Sequence, residues 1–484
     1  MSVLSRRGFI KATAASIAGA GGSSAFAREK RRPASGGRGP ERHGPGPLDV
    51  AIIGSGAAGT GAALALTQAR KRFVILEGRP RIGGRSFTDT TGFPGIRWDV
   101  GGEWLHQSSP NLSESGGPTN NPLTNYCLAH GIDVFPDTAP RMLFRPGAKP
   151  VNFLDHPAID VLAEASIDIV SAGAIGLGKP RADISAAQAT EHLKNSPWYQ
   201  LVAGALEVQH SATLEQTGCA DIFALTKTGI LPVVTPSPDN WLIPSGYGAL
   251  IARLLEGMPI SLNTPVETIT WGNKAGVALE TPNGTVVAKK VIVTVPVAVL
   301  ASGRPEFVPD LPPAFDRALG GLGTGTDEKI ALLFQPSYRF PVPEPNTLVL
   351  PNANTQNVPL IQTNVFGHPS FCIVIVGGGQ VPGIAAKKQL VPYALEQVVN
   401  IFGSEAKNKL IKGLSSEWNS SEFSMGSYTY ARPGGVPSRT LLQEPYGNQI
   451  FFAGEGAIVG RHSSIHGAFL SGFSQAQKAV KALK

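Results

Sequence analysis

Cysteine is scarce in this chain: three residues in 484, Cys127, Cys219 and Cys372, far apart and forming no ligand cluster with histidine. An odd, dispersed set excludes a disulfide framework and a CxxC redox or metal pair, and leaves buried, inert thiols as the expectation, with no metal site. Charge is also sparse, at 16% of residues, and it is uneven. Residues 1–47 carry nine Lys and Arg against two Glu, which is the whole formal charge of +7, so residues 48–484 are formally neutral. A neutral body offers no electrostatic footprint for phosphate backbones, which excludes nucleic acid as a partner. Long apolar runs are missing too. The run Ala12 to Gly22 is too short to span a bilayer, no uninterrupted stretch of about 20 apolar residues follows it, and no stable membrane anchor is expected.

What the chain does have is 42% hydrophobic residues, enough for a large core and more than one domain. Its 57 glycines and 40 prolines punctuate periodic apolar segments without forming repeats. At the front, Ser5-Arg6-Arg7-Gly8-Phe9-Ile10-Lys11, a weakly apolar run and Ala25-Phe26-Ala27 resemble a twin-arginine export signal cleaved after Ala27. That resemblance implies passage of a folded protein through the twin-arginine machinery to the periplasm. Residues 28–47, rich in Arg, Gly and Pro, read as a solvated linker.

The apolar run Leu48 to Ile53 suits a buried parallel strand, and Gly54-Ser55-Gly56-Ala57-Ala58-Gly59 follows it directly. A helical pattern then runs to about Arg70, and a second apolar run, Phe73 to Leu76, ends in Glu77. Strand, glycine turn, helix, strand and acid is the order of a dinucleotide-binding unit. Gly54 permits the turn, Gly56 lets the backbone approach a pyrophosphate beside Ala58, Gly59 lets helix and strand pack, and Glu77 would accept ribose hydroxyls. This much leaves NAD and FAD tied.

The tie is broken by Arg79-Pro80-Arg81-Ile82-Gly83-Gly84-Arg85 and by Asp99-Val100-Gly101-Gly102-Glu103-Trp104-Leu105-His106. These resemble the second FAD signature and the flavin-ring segment of the flavin amine oxidase superfamily, which includes monoamine and polyamine oxidases and lysine-specific demethylases. Paired glycines suit a flat ring and a pyrophosphate, which need close backbone approach. Ile450 to Glu455 and Ser464 to Gly472 resemble that family's final strand, acid and flavin-facing helix, and Asn263 to Ile269 resembles its adenine-contacting strand. The resemblance implies an α/β fold: a Rossmann-like FAD-binding domain from residues 48–114, 243–318 and 422–484, and a substrate domain of mixed sheet and helices from 115–242 and 319–421. It assigns Gly54, Gly56, Ala58, Gly59, Glu77, Arg79, Gly84, Arg85, Gly102, Val266, Glu455, Ser464 and Ile465 to the cofactor, with Arg85 neutralising a phosphate.

Three residues carry the catalytic expectation by the same resemblance. Lys329 matches the lysine that holds a water near flavin N5, Tyr428 one aromatic wall of the substrate site, and His106 a substrate contact. Ser427 stands where monoamine oxidases bond covalently to their flavin, so non-covalent FAD is implied. Glu103 would favour a cationic substrate tail, or as a solvated carboxylate would carry no role, and stays outside the catalytic set; the second aromatic wall is missing near Ser463 or Ser464. The implied reaction is hydride transfer from a primary or secondary amine to FAD, with oxygen or a cytochrome as electron acceptor. A flavin amino-acid oxidase or desaturase, and an inactive FAD-binding protein, are the competing readings.

Overall fold

The computed structural model describes residues 48–109, 119–227 and 235–484. The export signal and linker read from residues 1–47 lie outside the described residues.

Strand Leu48–Ile53 sits inside an eight-stranded sheet, parallel to Phe73–Leu76 on one side and to Gly284–Val293 on the other. Ile260–Ser261 extends the parallel set beyond Phe73–Leu76, and Ile450–Phe452 extends it beyond Gly284–Val293. A parallel strand covered on both faces has no solvent side, which is why Leu48 to Ile53 reads as a continuous apolar run. Val50 and Ile52 pack into one core with helices Ala57–Gln68 and Ile465–Lys481, while Ala51 and Ile53 pack into another on the opposite face. The first half of Gly284–Val293 instead forms an antiparallel hairpin with Gly276–Thr281, and its outer residues are exposed accordingly. Val266, expected on a strand, lies two residues before strand Thr268–Asn273, after a turn in which Asn263 takes a left-handed φ of 51°.

A seven-stranded sheet forms the second layer, in the order Leu410–Ser415, Asp327–Phe334, Phe371–Gly377, Leu360–Thr363, Leu348–Pro351, Arg141–Phe144 and Val151–Asn152. Its Ile330 and Leu332 pack with helix Leu390–Phe402, and Ala331 faces the core shared with helices Ala158–Gly178 and Tyr199–His210. Strand alternation puts Lys329 and Asp327 on the Ala331 face, towards the first sheet. A short ribbon, Leu322–Thr324 paired with Thr429–Ala431, ties the two layers together.

Among the described residues, helix Ala158–Gly178 is long and apolar enough by length and composition to cross a membrane. The sequence expectation concerned an uninterrupted apolar stretch of about 20 residues, which this helix is not. Asp160, Glu164 and Asp168 interrupt the run in sequence, but at four-residue spacing they share one helical face. Ile159, Leu162, Ala165 and Ile169 are buried in the core. The three cysteines are buried as free thiols, and burial pushes Cys127 and Cys219 up to about 12.

Candidate active site

At the end of strand Leu48–Ile53, Gly54 turns with φ +100°, and a Cβ there would lie 2.6 Å from Thr294 Oγ1. A Cβ on Gly59 would lie 2.0 Å from the Gly54 carbonyl oxygen, so protein packing alone demands glycine. Gly56 is different. The nearest atom to its missing Cβ is Gly83 O at 3.7 Å, and the residue faces an open groove. Helix Ala57–Gln68 starts there with no side-chain cap, leaving its first N–H groups directed at that space. The groove, about 470 Å³, is lined by every cofactor-binding residue named from the sequence except Gly59. An uncapped helix start beside a glycine that the protein itself does not require fits a pyrophosphate.

Glu77, Arg79 and Arg85 in the groove are already engaged by protein. Glu77 Oε2 accepts from Ser55 N at 2.8 Å and Ser55 Oγ at 2.7 Å, and its other oxygen accepts from Arg79 N at 2.9 Å. Arg79 donates to Ser421 Oγ at 2.9 Å, and burial lowers its guanidinium to about 10. Arg85, expected to neutralise a phosphate, lines the groove, pairs with Glu455 at 3.1 Å and donates to the Ser427 carbonyl. Its charge is therefore met by protein. Burial alone would raise the Glu455 carboxyl, but Arg85 and the Thr429 donors hold it below the usual range.

Gly102, Ser427, Tyr428, Ser464 and Ile465 line both this groove and a second cavity of about 170 Å³. Helix Ile465–Lys481 begins at that junction, with Ser464 Oγ accepting from Gly467 N at 3.1 Å as its cap. A helix start here offers its positive end to a flat anionic ring. Ser427 Oγ is buried with no hydrogen-bond partner among the described residues.

The smaller cavity brings together Lys329, Tyr428 and His106, which come from three separate segments. Tyr428 donates its hydroxyl to the Gln209 carbonyl at 2.8 Å, and burial pushes its ionisation well above the usual range. His106 Nδ1 lies 2.7 Å from Asn240 Oδ1, and burial lowers its basicity. Lys329 is 5% exposed; its Nζ donates to Glu103 Oε2 at 2.6 Å and lies 5.3 Å from the centre of the Trp104 ring.

Sequence reasoning missed four participants. Glu103 is 4% exposed, not solvated, and burial raises its carboxyl while Lys329 opposes the shift. His210, Asp221 and His462 form the far end of the cavity. Asp221 is gripped by Arg439 through contacts of 2.9 and 3.0 Å, and burial lowers His210 to about 4. No local motif marks these residues. The missing aromatic wall is filled by serine: Ser463 Oγ donates to the Thr429 carbonyl at 2.6 Å.

Residues 57–480 match the model of the family described as flavin containing amine oxidoreductase. The chain belongs to this family. Lysine-specific histone demethylase 2 of Homo sapiens is 26% identical over 453 residues, 89% of this chain and 53% of that protein. Polyamine oxidase 5 of Oryza sativa subsp. japonica is 28% identical over 460 residues, 89% of this chain and 87% of that protein. The chain thus spans about half the length of the first relatives it matches, the histone demethylases. Among solved structures, putrescine oxidase bound to putrescine superposes with a TM-score of 0.71 at 19% identity, over 89% of this chain and 98% of that one. Cyclohexylamine oxidase from Brevibacterium oxydans gives 0.72 at 18% identity, over 90% and 99%. The family's amine oxidase fold is the fold of this chain.

Proposed function

We propose that this flavin amine oxidoreductase oxidises a small primary or secondary amine with one non-covalently held FAD. The observation that carries this reading is the shared wall between groove and cavity: Gly102, Ser427, Tyr428, Ser464 and Ile465 belong to both, so a ring reaching the end of the groove forms one face of the cavity. FAD, when bound, supplies a hydride acceptor for the α-carbon, giving an imine that water hydrolyses to a carbonyl compound, with electrons passed on to oxygen or a cytochrome.

The protein's own residues supply the rest. Segments 48–114, 243–318 and 422–484 form the cofactor domain and 115–242 with 319–421 the substrate domain, and both contribute walls to the amine site. Tyr428, fixed by its hydrogen bond to Gln209, aligns the substrate against the ring, and Val208, Leu225, Leu360 and Ile375 exclude water. Lys329 stands beside the reacting face. An amino-acid substrate fits less well: among the described residues lining the cavity the only arginine is Arg85, and Glu455 already neutralises it.

Anaerobic mixing with a panel of primary and secondary amines should bleach the flavin band within a single turnover. A panel that leaves the flavin oxidised would reject the reading. Export to the periplasm by the twin-arginine route, on Ser5 to Lys11, completes the proposal. Replacing Arg6 and Arg7 together by Lys should leave uncleaved protein in the cytoplasm, and normal export of that variant would overturn it.

A further inference from the structure

An amine in water near neutral pH is almost wholly ammonium, since a free alkyl ammonium titrates near 10, like lysine. Hydride can leave its α-carbon only when the nitrogen lone pair is free. Apolar walls favour the neutral form but give the proton nowhere to go.

Glu103 offers a destination. Its Oε2 is held by Lys329 Nζ at 2.6 Å, while Oε1 is buried and has no hydrogen-bond partner among the described residues. The side chain lines the same cavity as Tyr428 and His106. Every charged neighbour facing it is otherwise committed or of the same sign. Asp99, at the end of strand Ile96–Asp99, is turned away, accepting from Tyr247 N at 2.9 Å, Gly248 N at 3.2 Å and Thr88 Oγ1 at 2.5 Å. Asp137 is bidentate to Arg141, at 3.1 and 2.8 Å, and accepts from the Trp104 indole at 2.8 Å. Asp327, two residues before Lys329, lines the same cavity with its Oδ1 buried and without a hydrogen-bond partner among the described residues, and burial raises its carboxyl well above the ordinary range. Lys329 alone opposes protonation of Glu103, and its ammonium retains the Trp104 ring face as a second support.

Resting on the amine-oxidising reading above, we propose that Glu103 is the group that deprotonates the incoming substrate. One N–H bond of the ammonium breaks, its electron pair stays on nitrogen as the lone pair, and the proton moves to Glu103 Oε1. A bound cation and a buried carboxylate become a neutral amine and a neutral carboxyl, which removes two charges from a dry cavity in one transfer. Glu103 remains hydrogen-bonded to Lys329 through Oε2. The proton returns to solvent after the product leaves, so no oxidant or co-reactant is consumed.

The test is proton counting on the oxidised holoenzyme with α,α-dimethylbenzylamine and tert-butylamine. Both are primary amines without an α-hydrogen, so they bind without being oxidised. Titration calorimetry in buffers of different ionisation enthalpy should find about zero protons released per amine bound between pH 7 and 9, with a Kd for total amine that is level over that range. Glu103→Gln can bind only the neutral amine. It should release about one proton, and its Kd should fall about tenfold per pH unit, following the neutral fraction of an amine titrating near 10. Glu103→Asp should restore the level profile. A parent enzyme that itself releases one proton per amine overturns the proposal without any variant, and so does a Glu103→Gln profile matching the parent. Because these probes are not oxidised, the outcome is separate from the reading it rests on: an amine panel that never bleaches the flavin would reject that reading while leaving the proton count intact.

Discussion

A Cβ placed on Gly472 would lie 1.8 Å from the carbonyl oxygen of Ala58, so the helix facing the ring end of the groove and the helix at its phosphate end touch backbone to backbone. Gly61 makes the reciprocal approach, its absent Cβ 2.0 Å from Phe469 O. Gly472→Ala should therefore force the two helices apart. Overpacking of this kind costs about 1–3 kcal/mol. The Tm of the holoenzyme should drop by roughly 1 °C for each kcal/mol lost. An unchanged Tm would mean that the helices part freely.

Asp221 and Arg439 form a buried pair at the far end of the cavity. Asp221→Asn leaves a fully buried guanidinium without its anion, a loss of about 3–5 kcal/mol. Burial works against ionisation of Asp221, yet Arg439 and His462 hold its carboxyl well below the ordinary 3.8. A depressed folded value means that this stabilisation is fully present above about pH 4 and is lost as pH falls through the depressed value. Urea unfolding at pH 7 and in acid should show a weaker variant at neutral pH, with a flatter acid limb. Parallel curves for the two proteins would contradict the assignment.

Lys329→Met should keep FAD bound, because Lys329 lines the small cavity and not the phosphate groove. Removing one preorganised charge from a dry site slows a step about tenfold to a thousandfold. Stopped-flow traces of flavin reduction and reoxidation measure this directly. Parental rates in both half-reactions would place Lys329 outside the chemistry.

Tyr428 separates wall from anchor. Tyr428→Phe loses only the hydrogen bond to the Gln209 carbonyl, about 0.5–1.5 kcal/mol of stability, and should reduce flavin at close to the parental rate. Tyr428→Ala loses the wall, admits water and should slow reduction by at least tenfold, the cost expected of a misaligned substrate. Equal single-turnover rates for Ala and the parent would remove Tyr428 from the substrate site.

Ser427 predicts the mode of attachment. Its hydroxyl is no match for a thiolate as a nucleophile, so acid precipitation should leave the yellow colour in the supernatant. Colour in the protein pellet would demonstrate a covalent bond.

The cofactor groove was legible in sequence because its requirements are local. A turn at positive φ, a helix start without a cap and a strand buried on both faces each leave a mark within a few residues, and Gly54, Gly59 and Leu48 to Ile53 carry those marks. The helix start at Ile465 was readable for the same reason, since Ser464 caps it four residues from end to end. Even there, partners were not legible. Arg85 lies in the glycine motif, but Glu455, which takes its charge, is 370 residues away.

By itself, then, the sequence determined the nucleotide-binding turn, the order of the cofactor segments and the family resemblance, all properties of neighbouring residues and their backbone angles. Whether Glu103 meets water or a lysine was decided only when strand Asp327–Phe334 packed its Lys329 face against the loop after Asp99, across 226 residues of chain. His210, Asp221 and His462 likewise acquire a common cavity only through the docking of both layers. Burial and pairing set the charge of such groups, and both depend on the solvent that distant segments exclude, which no local pattern of residue types encodes.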